Sequence, residues 1–79
     1  MLFDSIEYNG RTLGVELDPK ATFLLLKKKI CEKYGFPINF QRLILCGEFV
    51  LDNETLYERN VFAETCLRLI ILKNVEEQA

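Results

Sequence analysis

"TLGVELDPKATFLLLKKKICEKYGFP", Thr12 to Pro37, holds both kinds of secondary structure in one short span. Its first part alternates. Leu13, Val15 and Leu17 fall on one side, and Thr12, Gly14, Glu16 and Asp18 on the other, which is the period of a strand with one buried face. Pro19 ends the strand, because it has no N–H to give to a ladder. The period then changes. Thr22 stands where a helix needs a cap, and Phe23, Leu26 and Ile30 recur at helical spacing, with Lys33 or Tyr34 continuing the face. Gly35 supplies the left-handed residue that closes a helix, and Pro37 follows it. Lys27, Lys28 and Lys29 read as a solvated shoulder rather than a binding patch. Leu24, Leu25 and Cys31 lie off the core-facing stripe. Either they widen the apolar face beneath neighbouring loops, or they form a second docking surface.

Outward from this span lie two hairpins and a final strand. The segment from about Leu2 to Tyr8 is short and partly alternating, and Asn9-Gly10 has the positive-φ chemistry of a tight hairpin turn. "RLILCGEFV", Arg42 to Val50, reads as a second hairpin with Cys46-Gly47 near its turn. "LDNETLYERNV", Leu51 to Val61, is polar and carries two apolar anchors, Leu56 and Val61. "CLRLIIL", Cys66 to Leu72, is a last strand with Leu67, Leu69 and Ile71 inward. The order is strand, strand, helix, strand, short strand or turn, strand. One helix covers one face of a sheet, so the expectation is an α+β fold of two layers. Its sheet is mixed, mostly antiparallel, with the uncovered face toward water.

That uncovered face receives unexpected residues. If Leu43 and Leu45 point inward, Ile44 and Cys46 point to water. By the same parity Arg68 and Ile70 point outward when Leu67 and Leu69 are buried. On neighbouring strands the two isoleucines would meet as a cross-strand pair, joined by Tyr8 from the first hairpin. A contiguous exposed apolar patch marks a contact site, whereas scattered exposure carries no such meaning. In the first strand the unshifted register is expected, with Ser5 inward and Ile6 outward. A one-residue slip would exchange the faces and turn Asp4 inward.

Composition narrows the classes. A chain of 79 residues, 49% apolar and 28% charged, fits one globular domain. A net charge of −2 makes no electrostatic case for nucleic acid. No apolar run approaches the roughly 20 residues of a membrane span, and the start lacks the pattern of a secretion signal. The three cysteines, Cys31, Cys46 and Cys66, match no disulfide framework or zinc motif in their spacing. A reduced protein of the cytoplasm, the nucleus or both is expected. There is no histidine, which excludes Ser-His and Cys-His catalysis and imidazole ligation. No glycine-rich phosphate loop or carboxylate cluster at metal spacing is present. Neither an enzyme nor a cofactor is expected, and the cysteines read as packing or turn residues.

"TLGVELDP", "KKKICEKYGFP", "QRLILCG", "LDNETLYERN" and "TCLRLIILK" together resemble ubiquitin and the ubiquitin-like domains, without a gap from about Met1 to Lys73. The resemblance implies the β-grasp fold over residues 1–73, with 74–79 a tail or the start of a linker. It implies a recognition patch centred on Ile44 with Tyr8, Gly47, Arg68 and Ile70 as companions. Tyr8 stands where the family usually has leucine, and Arg68 where it has histidine, so the patch is retuned. A second family patch falls on Phe36, Ile71 and Lys73, and a partly buried ion pair on Lys27 and Asp52. The implied partners are ubiquitin-binding motifs, proteasome receptors or ubiquitin-pathway enzymes, met by a monomer. Modifiers of this family end in two glycines, and this chain reads "KNVEEQA" with no Gly-Gly pair. Several chain-building lysine positions carry Ile6, Arg11, Glu48 and Ala63, while Lys27, Lys29 and Lys33 remain. A non-conjugated interaction module is therefore expected. The alternatives are a structural β-grasp subunit using Leu24 and Leu25, with Phe36 and Ile71 as further secondary surface, and a conjugated modifier.

Overall fold

Two tight turns and one capped helix set the frame of the chain. The computed structural model describes residues 1–72; Lys73 and the expected tail, 74–79, lie outside the described residues. Along the chain come β1 (Leu2–Tyr8), β2 (Arg11–Glu16), α1 (Phe23–Tyr34), a 3₁₀ turn (Ile38–Phe40), β3 (Gln41–Leu45), β4 (Glu48–Phe49) and β5 (Leu67–Ile71). The sheet order is β2-β1-β5-β3-β4, with β1 parallel to β5 and every other pair antiparallel. This is the expected two-layer α+β fold. Asn9 and Gly10 turn β1 into β2 with φ of 49° and 78°, and Cys46 and Gly47 turn β3 into β4 with 52° and 83°. Both loops have two residues, Tyr8 facing Arg11 and Leu45 facing Glu48. Such turns place both central residues in the left-handed region, where glycine is at ease and a side chain is strained.

β1 departs from the expected register. Leu2 and Phe3 face Glu16 and Val15, but Ile6, Glu7 and Tyr8 face Leu13, Thr12 and Arg11. One extra residue therefore sits in β1 at Asp4-Ser5, a β-bulge. It turns Ile6 into the core, fully buried together with Phe3. The expectation that Ile6 faces out is overturned. Asp4 does not turn in, because the shift begins only at the bulge; it remains exposed. Ser5 is half-buried and its hydroxyl donates to the carbonyl of Ala63 at 2.9 Å. Opposite the bulge is Gly14, where an added Cβ would lie 3.0 Å from Asp4 Cβ.

α1 packs Phe23, Leu26 and Ile30 against the inner sheet face, all with no exposed surface. Thr22 Oγ1 accepts from Leu25 N–H at 3.2 Å, and the Gly35 N–H closes the other end on the Cys31 carbonyl. Thr22→Ala is expected to lower stability by about 1 kcal/mol through loss of this cap, read as a lower urea midpoint with an unchanged m-value. Tyr34, not Lys33, continues the inner face. Its hydroxyl accepts from Gly14 N–H and donates to the Gly14 carbonyl.

Lys27 does not share the solvated shoulder of Lys28. It is buried, and its Nζ lies 2.7 Å from Asp52 Oδ1. Buried Gln41 adds a second tie between the layers, donating from Nε2 to the carbonyls of Lys27 and Phe36 at 2.9 Å. The anchors Leu56 and Val61 are fully buried and pin the long connection between β4 and β5. Glu54 helps to order that connection by accepting from Leu51 N–H and from Arg59 Nη1. The backbone bond from Leu51 is the largest cause that holds its carboxyl below the usual range; desolvation opposes it, and the bond and charge of Arg59 add smaller lowering effects.

Candidate protein-binding face

The uncovered sheet face is built by register. Phe49 faces Ile44, Ile44 faces Arg68, Arg68 lies beside Glu7, and Glu7 faces Thr12. These five side chains form one row across all five strands. Arg42 and Ile70 face each other in the next row. Ile44 and Ile70 are thus diagonal neighbours on β3 and β5 rather than the directly opposed pair expected from parity, each instead facing an arginine. Both are half-buried, while Phe49 is 64% exposed. Gly47 is exposed at the turn beyond Ile44.

The bulge decides which β1 residue reaches this face. With Ile6 turned in, Glu7 turns out and Tyr8 turns in. Glu7 Oε1 accepts from Arg68 Nε at 3.0 Å, so the expected place of Tyr8 beside Arg68 is taken by a carboxylate. The Tyr8 ring instead meets Phe36, centroids 4.9 Å apart at 60°, an edge contact. Tyr8, Phe36 and Ile71 are each partly buried against the core. Tyr8 therefore leaves the Ile44 patch and joins the second one. Arg42 is tethered as well, since its Nη1 donates to the carbonyls of Asn39 and Gln41 at 3.0 and 2.9 Å.

The secondary surface divides. Leu24 and Leu25 sit in the first turn of α1, where Leu24 N–H donates to the Asp52 carbonyl at 3.1 Å. Phe36 lies beyond the C-cap, roughly 15 Å further along the helix axis. Leu25 is exposed, whereas Leu24 and Cys31 are half-buried. These two pairs form no single surface.

Phe49 and Glu7 escaped the sequence reading. Phe49 was recoverable from the turn: in a two-residue hairpin at Cys46-Gly47, Leu45 faces Glu48 and Ile44 faces Phe49. Glu7 required the bulge. An apolar strip, Phe49, Ile44 and Ile70, edged by two arginines is suited to an amphipathic partner with acidic and apolar side chains. Among the described residues no group of three or more cysteines and carboxylates is placed to hold a metal, and no helix is long and apolar enough to cross a membrane.

The ubiquitin family model matches residues 5–73. The chain belongs to the ubiquitin family, and it is a ubiquitin-like protein with the β-grasp fold. One relative is the ubiquitin-like protein NEDD8 of Dictyostelium discoideum, 27% identical over 71 residues that cover 90% of this chain and 92% of the relative. Membership implies that the domain works through contacts with other proteins.

Proposed function

We propose that the domain is a non-conjugated ubiquitin-like interaction module of the cytoplasm or nucleus, with no catalytic activity of its own. It docks ubiquitin-binding helices, proteasome receptors or ubiquitin-pathway enzymes through the outer sheet face. The observation that supports this reading is the placement of Ile44, Ile70 and Phe49 on a solvated face, in register with Arg68 and Arg42. Gly47 leaves the turn beside them without a side chain that a partner would have to clear. An apolar strip of three residues with a charged rim favours transient binding, on the order of micromolar.

The test is a proton–nitrogen NMR titration with a ubiquitin-interacting helix and with a proteasome receptor fragment. Fast-exchange shifts are expected at Ile44, Gly47, Phe49, Arg68 and Ile70. Shifts confined to Leu24, Leu25 and Cys31 would overturn the reading in favour of a structural subunit that docks by its helix, where Leu25 is exposed. A ligase-dependent adduct that survives denaturing electrophoresis would overturn the non-conjugated part.

A further inference from the structure

We propose that Cys46 and Cys66 are a modification site: a thiol pair that oxidises reversibly to a disulfide within the domain. In sequence the two are far apart, and their spacing carries no signature. The sheet brings them together. The β3–β5 ladder pairs Arg42 with Ile70 and Ile44 with Arg68. Extended two residues past the last paired residues, the same register brings the turn residue Cys46 toward Cys66, which directly precedes β5. Both are exposed free thiols, and with Ile44, Gly47 and Arg68 they line one concavity. Opposed residues inside an antiparallel ladder have Cα atoms about 4.5–5.5 Å apart; Cys46 and Cys66 lie just past the end of this ladder, and a disulfide needs their Cα atoms about 4.4–6.8 Å apart.

The backbone adds a second argument. Cys46 occupies the first central position of its turn with φ of 52°. Asparagine, aspartate or glycine meets that conformation at least cost. A cysteine gains nothing there by conformation or by burial, so its thiol chemistry is what remains to be used. The third thiol, Cys31, is half-buried on α1 in the other layer. It serves as an internal control.

The chemistry needs a peroxide as oxidant. One thiolate attacks a peroxide oxygen: the S–O bond forms, the O–O bond breaks, and hydroxide leaves to be protonated to water. The second thiolate then attacks the sulfenic sulfur: S–S forms, S–O breaks, and a second water leaves. Two thiols and hydrogen peroxide thus become one disulfide and two waters, and a small dithiol reverses the step by exchange. The bridge ties the turn that carries Gly47 to the start of β5, beside Ile44 and Arg68. The site stands on register and exposure, independently of any partner for the sheet face.

The experiment treats the folded chain with a slight excess of hydrogen peroxide, alkylates the remaining thiols, and maps peptides without reduction. The expected product loses two hydrogens in intact mass, keeps Cys31 alkylatable, shows Cys46 and Cys66 cross-linked, and reverts with dithiothreitol. The Cys31→Ser variant should behave identically. Cys46→Ser and Cys66→Ser should each abolish the cross-link while keeping the amide spectrum of a folded domain. Sulfinic acid at separate cysteines, dimers through a single cysteine, or a linkage that includes Cys31 would each overturn the proposal.

Discussion

Ile6→Ala is expected to cost about 2–5 kcal/mol of folding free energy. A domain of 79 residues has roughly 4–12 kcal/mol in total, so the variant loses a large share of its stability. The size of the effect follows from the bulge. Ile6 has no exposed surface and pairs with Leu13, so truncation leaves a cavity between β1, β2 and the helix. Neighbouring substitutions sharpen the comparison. Ser5→Ala loses one half-buried hydrogen bond to Ala63, about 1 kcal/mol. Leu2→Ala removes a side chain that is 53% exposed and should cost less than Ile6→Ala. Urea unfolding monitored by two probes measures all three. If Ser5→Ala proves severe and Ile6→Ala nearly neutral, β1 runs without a bulge.

The second large effect concerns binding. Ile44→Ala is expected to weaken the proposed helix and receptor interactions by about fivefold or more, because truncating a central apolar anchor costs more than about 1 kcal/mol. Stability should fall much less, since Ile44 is half-buried on the sheet's outer face and leaves no closed cavity. Calorimetric titration beside thermal unfolding separates the two. Tyr8→Ala provides the contrast. In the plain family arrangement Tyr8 belongs to the Ile44 patch and its loss weakens the same interaction. In this chain it packs on Phe36, so affinity at the Ile44 face should hold while stability drops. An unchanged affinity in Ile44→Ala removes the sheet face from the account.

Much of this architecture was legible in local chemistry. Thr22 and Gly35 bracket α1 as the capping rules require, and two left-handed turns mark both hairpins. Parity alone placed Ile44, Arg68 and Ile70 on the open face, because β3 and β5 pair without interruption. What escaped depends on contacts between distant segments. By local pattern Lys27 is one of three solvated lysines, and it was the family resemblance, not the pattern, that paired it with Asp52 as the structure does. The faces of β1 were misread beyond Asp4 because strict alternation was assumed. A trace of the truth was present: Phe3 and Ile6 are two large apolar residues three apart, with polar Asp4 and Ser5 between them. A strand that must bury both needs an extra residue, and Gly14 gives the partner strand room for it. The nearness of Cys46 and Cys66, which line one concavity, is invisible for the same reason. Register across a sheet is not written in sequence distance.

The Glu7–Arg68 pair has a consequence for selectivity. An acidic partner of the proposed kind would find Arg68 with a resident counter-ion already in place, 3.0 Å away. The visitor therefore gains only the difference between two competing ion pairs, each worth about 0–1 kcal/mol at an exposed site. Charge at this position sorts orientations more than it adds strength. An acidic segment that merely passes finds its berth occupied, while one that also seats an apolar side chain on Ile44 has reason to stay. Salt weakens incumbent and rival alike, so ionic strength has less hold on this surface than a bare arginine would give it.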